Sequence, residues 1–376
     1  MIYLDNSATT KPCETAIKYM NKALCENWGN PSSLHTVGIQ AEDLLISARK
    51  AAAKSINAQE NEIFFTSGGT EANNIAILGA CEKLKRRGNK IVTTKIEHPS
   101  VKETIDYLET KGFEIIRLEP DQNGIVSVED IESAIDSSTI LVSIMLVNNE
   151  IGSVQPVEAA ARAIEKSGSP ALLHCDAVQA YGKLPIDVKK LKVDLLSVSA
   201  HKIHGPKGVG FLYKKKAVNI ATTVFGGGQE SGLRSGTQPI PAICGFLGAI
   251  EELPNLNSQL TTQQSLTDYA REKLNSTNLV TINSDSNALP YILNISVNGY
   301  KSETILHFLE AKNIFVSSGS ACSKGKKSYV LESMGLPPKQ IDSSIRLSFS
   351  RYNTKDDIDN LCAALIEGCK FLRKAY

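Results

Sequence analysis

A lysine that follows an apolar run is the residue of this chain that points most directly to chemistry. The run from Val193 to Val198 predicts a buried strand, and Lys202 follows it within Ser-Ala-His-Lys-Ile-His-Gly-Pro-Lys-Gly. Burial disfavours the ammonium form of a lysine, so a neutral and nucleophilic amine becomes available, as a Schiff base requires. Lys207 is the rival in this stretch, but its position between a proline and a glycine predicts a solvent-facing turn.

A glycine-containing turn provides a second candidate feature. Gly69 and Thr70 follow an apolar strand and open a predicted helix within Thr-Ser-Gly-Gly-Thr-Glu-Ala-Asn-Asn. Unpaired N–H groups and the positive end of the helix dipole favour a phosphate at such a helix start. An ordinary strand-to-helix turn with a threonine cap explains the same residues. The pattern is neither a dinucleotide-binding fingerprint nor a P-loop.

Other strand ends present polar side chains too, namely those of His98, Asn149, Asp176 and Gln179. Asp176 beside a buried strand needs a cationic partner or strong hydrogen bonds. A pyridinium nitrogen would be a suitable partner, although a helix-cap carboxylate is the simpler explanation when Asp176 is considered alone. Open parallel sheets bind ligands beyond the carboxyl ends of their strands. Taken together with Lys202, these residues predict a site for pyridoxal 5'-phosphate (PLP).

Two further residues complete the candidate chemistry. Arg346 lies among apolar residues of a predicted strand, where it requires an anion; a substrate carboxylate fits its planar fork, and a protein carboxylate is the alternative. Cys322 lies in the small and polar stretch Ser-Ser-Gly-Ser-Ala-Cys-Ser-Lys, which predicts an exposed loop, and nearby lysines would raise its thiolate fraction. Arg234, within Gly-Leu-Arg-Ser-Gly-Thr, is a further candidate, with a loop or interface role as the alternative.

The bulk composition excludes several classes of protein. The chain has 376 residues, 42% hydrophobic residues and a formal net charge of +1, so its overall charge gives no reason to expect nucleic-acid or membrane binding. We find no signal peptide and no apolar run long enough to span a bilayer. The eight cysteines include no Cys-x-x-Cys pair, which favours a reducing, cytoplasmic location and gives no sign of a metal site.

The order of predicted elements indicates the fold. Apolar strands alternate with amphipathic helices through the first two-thirds of the chain, which predicts an α/β domain on a mostly parallel sheet. The predicted strands include Lys90–Thr94, Glu114–Leu118, Ile140–Leu146 and Leu195–Ser199. The composition turns polar near Pro254, and a smaller α+β unit is expected beyond it, with a helix from about Thr261, a strand near Ile292–Val297 and a last helix capped by Thr354. We therefore predict a large domain over residues 12–257, and a small domain built from residues 1–11 and 258–376.

Several long motifs resemble those of one known family. They are Tyr3-Leu-Asp-Asn-Ser-Ala-Thr-Thr, Gly29-Asn-Pro-Ser-Ser-Leu-His, Thr66-Ser-Gly-Gly-Thr-Glu-Ala-Asn-Asn, Val147-Asn-Asn-Glu-Ile-Gly, Asp176-Ala-Val-Gln, Ala200-His-Lys-Ile-His-Gly-Pro-Lys-Gly and Ser318-Gly-Ser-Ala-Cys. The chain resembles cysteine desulfurases of the IscS/NifS type, in the class V aminotransferase superfamily, from near Ile2 to the last helix. The resemblance implies the type I fold of PLP-dependent transferases.

The resemblance also implies a role for each candidate residue. Lys202 would hold PLP covalently, Asp176 would pair with the ring nitrogen, Gln179 would bond the ring hydroxyl and His98 would stack on the ring. Thr70, Ser199 and His201 would bind the phosphate, and Thr237 would reach the phosphate of the neighbouring subunit in a homodimer. Asn149 and Arg346 would hold the carboxylate of L-cysteine, and Cys322 would accept its sulfur as a persulfide.

Other functions remain open at this point. A selenocysteine lyase or a class V transaminase would share the PLP residues, although transamination needs no thiol. A PLP-binding scaffold that only positions a sulfur acceptor is the non-enzymatic alternative. After Cys322 the chain is shorter and more basic than the better-known relatives, and it ends soon after the last helix, without the extension that engages an iron–sulfur scaffold in some of them. The sulfur acceptor, whether for iron–sulfur cluster assembly or for tRNA thiolation, therefore stays open.

Overall fold

A computed structural model of the chain describes residues 1–319 and 327–375. Its α-helices are α1 (Glu14–Cys25), α2 (Thr36–Ser55), α3 (Gly69–Leu84), α4 (Pro99–Glu109), α5 (Val128–Ala134), α6 (Val157–Ser167), α7 (Val188–Leu191), α8 (Ile240–Glu251), α9 (Leu256–Ser276), α10 (Ser302–Ala311), α11 (Tyr329–Ser333), α12 (Pro338–Asp342) and α13 (Lys355–Phe371). Its strands are β1 (Ile2–Tyr3), β2 (Ile63–Thr66), β3 (Lys90–Thr94), β4 (Glu114–Leu118), β5 (Thr139–Ser143), β6 (Leu172–Asp176), β7 (Leu195–Ser199), β8 (Gly210–Lys214), β9 (Val280–Ile282), β10 (Ile292–Val297), β11 (Ile314–Phe315) and β12 (Ser344–Ser348).

The largest sheet has the strand order β2-β8-β7-β6-β5-β3-β4. Its neighbouring strands run parallel, except that β8 is antiparallel to both β2 and β7. The central strands β5 and β7 are buried along their whole length, as expected for a sheet covered by helices on both faces. The predicted α/β fold with a mostly parallel sheet is confirmed.

This topology gathers several strand ends at one edge of the sheet. The parallel strands β2, β3, β6 and β7 end at Thr66, Thr94, Asp176 and Ser199. Because parallel strands present their carboxyl ends at the same edge, the segments that follow them meet there.

The remaining strands form two smaller sheets. An antiparallel sheet has the order β12-β10-β9, and β1 pairs in parallel with β11. The start of the chain therefore packs with its last third, and Leu4 belongs to the same apolar cluster as Leu347 and Leu361. This arrangement agrees with grouping residues 1–11 with the C-terminal part, and the domain boundaries themselves stay a prediction.

Two predicted element bounds differ most from the structure. The helix expected from about Thr261 begins at Leu256, because the Asn255 side chain accepts a hydrogen bond from Ser258 N and caps it. The polar residues that suggest a linker belong to the first turns of this helix, whose outer face is exposed. The strand expected to continue to Leu146 ends at Ser143. The N-cap of α13 is confirmed, with Thr354 and Asp357 forming a reciprocal capping box.

Within the two described ranges, we find no helix that is long and apolar enough to cross a membrane. The same residues contain no group of three His, Cys, Asp or Glu side chains arranged to hold a metal ion.

Candidate active site

A cavity of about 210 Å³ lies at the edge of the large sheet where the strand ends meet. Its lining consists of Ser7, Ala8, Gly69, Thr70, Asn73, His98, Ser100, Met145, Asn149, Asp176, Val178, Gln179, Ser199, His201, Lys202 and Arg346. Most of the residues singled out from the sequence thus surround one space, although they come from distant parts of the chain.

Lys202 reaches this cavity from a short 3-10 helix, Ala200–Lys202, directly after β7. Its side chain is half-buried, and its Nζ donates to the carbonyl oxygens of Ser7 at 2.5 Å and Ala8 at 2.9 Å. These carbonyls belong to the N-terminal segment that packs with the last third of the chain. The position of the amine therefore depends on the large sheet, which carries Lys202, and on the N-terminal segment that supplies the two carbonyls.

Asp176 is held at the carboxyl end of β6 by two hydrogen bonds. Asn73 Nδ2 donates to its Oδ2 at 2.7 Å, and the backbone N–H of Val178 donates to its Oδ1 at 2.9 Å. Both bonds hold the carboxylate in one orientation. Asn73 also contacts Ser100 Oγ at 2.8 Å, which links Asp176 to the start of α4.

His98 is the N-cap residue of α4, and its ring faces the same cavity. The backbone N–H of Ser100 donates to His98 Nδ1 at 3.1 Å, so in the neutral ring the proton lies on Nε2. Burial lowers the pKa of His98, with Asp176 opposing this effect and the charge of Lys202 adding to it. His98 is therefore neutral near pH 7, and Nδ1 has its hydrogen-bond partner within its own helix.

The start of α3 and the end of β7 form the other end of the cavity. Gly68 precedes α3 with a φ of +147°, a conformation that L side chains rarely adopt. Ser199 is buried, and His201 Nδ1 lies 3.2 Å from Thr9 Oγ1. Burial and neighbouring lysine charges lower the pKa of His201 to about 3, so the ring is a neutral hydrogen-bonding group. A helix start beside these groups offers donors to an anion.

Arg346 enters from β12 and is 1% exposed. Its Nη1 donates to the backbone carbonyl of Asn149 at 2.8 Å, and its Nη2 pairs with Asp5 Oδ1 at 2.9 Å. The protein carboxylate considered as an alternative from the sequence is therefore present, and it occupies one side of the guanidinium. The Nε atom has no hydrogen-bond partner among the residues that the structure describes.

The unpaired polar atoms of the cavity test whether PLP would fit. Within the described part of the chain, Ser7 Oγ, Asn73 Oδ1 and Arg346 Nε are buried and lack hydrogen-bond partners, and all three belong to lining residues. Buried polar groups are normally paired, so unpaired groups clustered at one cavity indicate a polar ligand. The cavity further combines a lysine amine, a fixed carboxylate and a helix start. This set matches the aldehyde, ring nitrogen and phosphate of PLP.

Two of the sequence candidates, Thr237 and Arg234, do not line this cavity, and a third lies outside the described residues. Thr237 is exposed, and its expected contact with a neighbouring subunit stays a prediction. Arg234 forms an ion pair with Glu71 in the first turn of α3, with Nε 3.1 Å from Oε1. Cys322 falls outside the described residues, which stop at 319 and resume at 327.

Sequence reasoning missed four residues of the site: Asp5, Ser7, Asn73 and Ser100. Three of them stand inside motifs quoted for the family resemblance, and Ser100 follows His98 by two positions. The motifs thus signalled that these positions matter. The contacts of Asp5, Ser7 and Asn73 with Arg346, Lys202 and Asp176 arise only from the packing of distant segments, whereas Ser100 contacts His98 within the first turn of α4.

Replacing Asn73 by alanine should weaken retention of PLP by about tenfold or more. The substitution removes the side-chain donor to Asp176 Oδ2, and hydrogen bonds to charged groups contribute about 1.5–3 kcal/mol. Equilibrium dialysis with detection of the visible absorbance measures this effect. Asn74→Ala is the matched control, because the Asn74 side chain bonds Thr70 O and Thr104 instead. An equal loss of PLP retention in Asn73→Ala and Asn74→Ala would contradict a specific role of Asn73.

Comparisons with known proteins show what this chain is similar to. The family model described as "Aminotransferase class-V" matches residues 2–361. A cysteine desulfurase IscS of Clostridium botulinum is 42% identical over 371 residues, covering 97% of this chain and 93% of the relative. A solved NifS-like protein superimposes with a TM-score of 0.93 at 38% identity and covers 99% of this chain and 100% of its own. A structure titled "SspA in complex with cysteine" has a TM-score of 0.83 at 32% identity, and the match covers 94% of this chain and 100% of that one.

The chain therefore belongs to the aminotransferase class-V family of PLP-dependent enzymes. Within this family it is a member of the cysteine desulfurases of the IscS/NifS type.

Proposed function

We propose that this enzyme converts free L-cysteine to L-alanine in a PLP-dependent reaction and transfers the sulfur to Cys322 as a persulfide. The single observation that carries the proposal is one cavity in which Lys202, Asp176, His98 and Arg346 meet. The relatives named as cysteine desulfurases and the SspA structure titled as a cysteine complex support the choice of substrate.

Different residues around the cavity would bind different parts of PLP. When bound, PLP supplies an electron-accepting ring attached through its aldehyde. Lys202 would hold the aldehyde, and Asp176 would keep the ring nitrogen protonated. The start of α3 at Gly69 and Thr70, together with Ser199 and His201, would hold the phosphate. Gln179 would donate to the ring hydroxyl, and His98 would cover the ring face.

The reaction then depends on proton movement at defined atoms. Arg346 and Asn149 hold the substrate carboxylate, which orients the Cα–H bond toward Lys202. The amine of Lys202, once displaced by the substrate, removes this proton. The Cys322 thiolate attacks the substrate sulfur; the C–S bond breaks and an S–S bond forms on Cys322. Cβ then gains a proton, and Cα regains the proton that Lys202 removed. The sum is L-cysteine plus the Cys322 thiol giving L-alanine plus the Cys322 persulfide.

The partners and location belong to the same proposal. We infer a homodimer in which Thr237 contributes to the neighbouring site, a cytoplasmic location, and a protein that accepts the sulfur for iron–sulfur assembly or tRNA thiolation. The exposed position of Thr237 outside its own cavity supports an intersubunit role.

One assay tests the proposed reaction directly. Purified protein loaded with PLP is incubated with L-cysteine and dithiothreitol, and alanine and sulfide are measured. We expect both products in equal amounts over many turnovers. A protein that binds PLP and cysteine yet forms neither product would be a scaffold and would refute the proposal.

Replacing Arg346 by lysine should raise the KM for L-cysteine by about 10–100-fold, with a smaller effect on kcat. Lysine keeps the charge and loses the planar fork, and charged hydrogen bonds contribute about 1.5–3 kcal/mol. Steady-state alanine formation measures both constants. Arg117→Lys is the control, since Arg117 pairs with Asp106 and Glu109 away from the cavity. An unchanged KM would show that Arg346 pairs with Asp5 and does not bind the substrate carboxylate.

A further inference from the structure

An ion pair joins the loop between β8 and α8 to the start of α3, and it has no part in the reaction described so far. Arg234 lies in this loop, and its Nε is 3.1 Å from Glu71 Oε1 and 3.2 Å from Glu71 Oε2. The two side chains are 19% and 21% exposed. Desolvation of two charges is costly, so a pair in this position requires an explanation.

Glu71 lies directly beside the residues expected to hold the cofactor phosphate. Gly69 and Thr70 line the cavity, and Glu71 follows them in the first turn of α3. Its Oε2 accepts a hydrogen bond from the backbone N–H of Ser67, in the turn that precedes the helix. The Glu71 carboxylate is therefore fixed at the helix start that would receive the phosphate.

A carboxylate in this place opposes the binding of a second anion. The positive end of the helix dipole favours negative charge, but a phosphate ester carries about two negative charges and repels a neighbouring carboxylate. Among the residues that the structure describes, Arg234 is the one side chain that forms an ion pair with Glu71. Its cation compensates the charge that would otherwise oppose the phosphate.

A second ion pair holds the loop that carries Arg234. Glu230 lies in the same loop, its side chain is 1% exposed, and it accepts from Arg49 Nη1 at 2.8 Å and Nη2 at 2.9 Å. The backbone N–H of Phe65, in β2, donates to the same carboxylate at 2.8 Å. Glu230 has a φ of +48°, a strained backbone that persists only where its surroundings hold it. The loop is thus tied to the strand that leads into α3, which places Arg234 beside the helix start.

We propose that Arg234 is a positioning residue for the cofactor phosphate: it compensates the charge of Glu71, so that the start of α3 can accept the phosphate of PLP. This inference rests on the proposed binding of PLP at Gly69 and Thr70. It assigns a function to an arginine that does not line the cavity and acts through its partner.

Cofactor-free protein titrated with PLP and with pyridoxal tests the inference without any measurement of activity. Pyridoxal has the same ring and aldehyde but lacks the phosphate, and the visible absorbance gives a dissociation constant for each compound. In Arg234→Met we expect the constant for PLP to rise about tenfold, because the Glu71 charge is left uncompensated, and that for pyridoxal to change by less than about twofold. An equal loss of affinity for both compounds, or no loss for PLP, would overturn the inference.

Arg117→Met is the matched control for Arg234→Met. The Arg117 side chain is 27% exposed and pairs with Asp106 and Glu109 away from the cavity. Its replacement removes one cation of similar burial, so both dissociation constants should stay as in the wild type. A selective loss of PLP affinity in Arg117→Met would attribute the effect to overall charge and refute the local role of Arg234.

Glu71 variants separate compensation of a carboxylate from direct attraction of the phosphate by Arg234. Glu71→Gln keeps an acceptor for the Ser67 N–H and removes the charge, so this single variant should bind PLP at least as tightly as the wild type. The double variant Glu71→Gln/Arg234→Met should bind PLP within about twofold of the wild type, because the two residues act as one unit. If the double variant binds as weakly as Arg234→Met, or if Glu71→Gln selectively loses PLP affinity, the inference is wrong. Circular dichroism establishes folding of each variant.

The wild-type protein distinguishes the two levels of the argument. If wild-type protein gives no visible band with PLP, the proposed PLP site fails, and the inference about Arg234 fails with it. If wild-type protein gives the band and prefers PLP to pyridoxal, while Arg234→Met keeps the same preference, only the inference is wrong.

Discussion

Lys202→Ala should yield protein that stays colourless in the presence of PLP. Its rate of alanine formation should fall by about 10⁴-fold or more. The substitution removes both the covalent attachment point and the base for the Cα proton, and a positioned acid or base alone contributes about 10²–10⁴-fold. Absorbance spectroscopy after gel filtration and an alanine assay measure the two effects.

Lys207→Ala is the matched control for this prediction. Lys207 lies five positions further along the chain and is exposed, so its removal should leave the visible band and the rate intact. Retention of the band in Lys202→Ala, or its loss in Lys207→Ala, would show that the amine has been assigned to the wrong lysine.

Cys322→Ser should keep the visible band and lose alanine formation by roughly 10³-fold or more, because the serine hydroxyl cannot replace the thiolate as sulfur acceptor. In wild-type protein treated with one equivalent of L-cysteine, the peptide containing Cys322 should gain the mass of one sulfur atom. Mass spectrometry under non-reducing conditions measures this gain.

The other cysteines provide the comparison for Cys322. Burial raises the pKa of the thiols of Cys81, Cys175 and Cys244, which makes them poor nucleophiles. Cys25 is the exposed cysteine within the described ranges, so Cys25→Ser is the control and should remain fully active. Full activity of Cys322→Ser would refute the persulfide step.

The order of strands and helices was predictable because local patterns carry it. The strands Lys90–Thr94, Glu114–Leu118, Leu195–Ser199 and Ile292–Val297 have the predicted bounds, since each is an apolar or β-branched run between turn residues. The start of α9 was not predicted, because its first turns are polar on the exposed side and only the Asn255 cap marks them.

The site was predictable in part for the same reason. Lys202, Asp176, His98 and Thr70 directly follow strands or open helices, and the rule for open parallel sheets gathers such residues at one edge. Asn73 and Ser7 could not be found in this way. Asn73 acts through a partner 103 positions away, and Ser7 contacts Lys202 through its backbone carbonyl, which carries no signal in the residue type.

By itself, the sequence determined the class of the protein: a PLP-type lysine after a buried strand, a mostly parallel sheet and motifs of one enzyme family. Only the tertiary structure decided that Arg346 pairs with Asp5 and that the Ser7 carbonyl accepts hydrogen bonds from both Lys202 and Gln179. The physical reason is that strand and helix signals are local in the chain. A hydrogen bond or a charge interaction, in contrast, depends on distances set by packing between segments that lie far apart in the sequence.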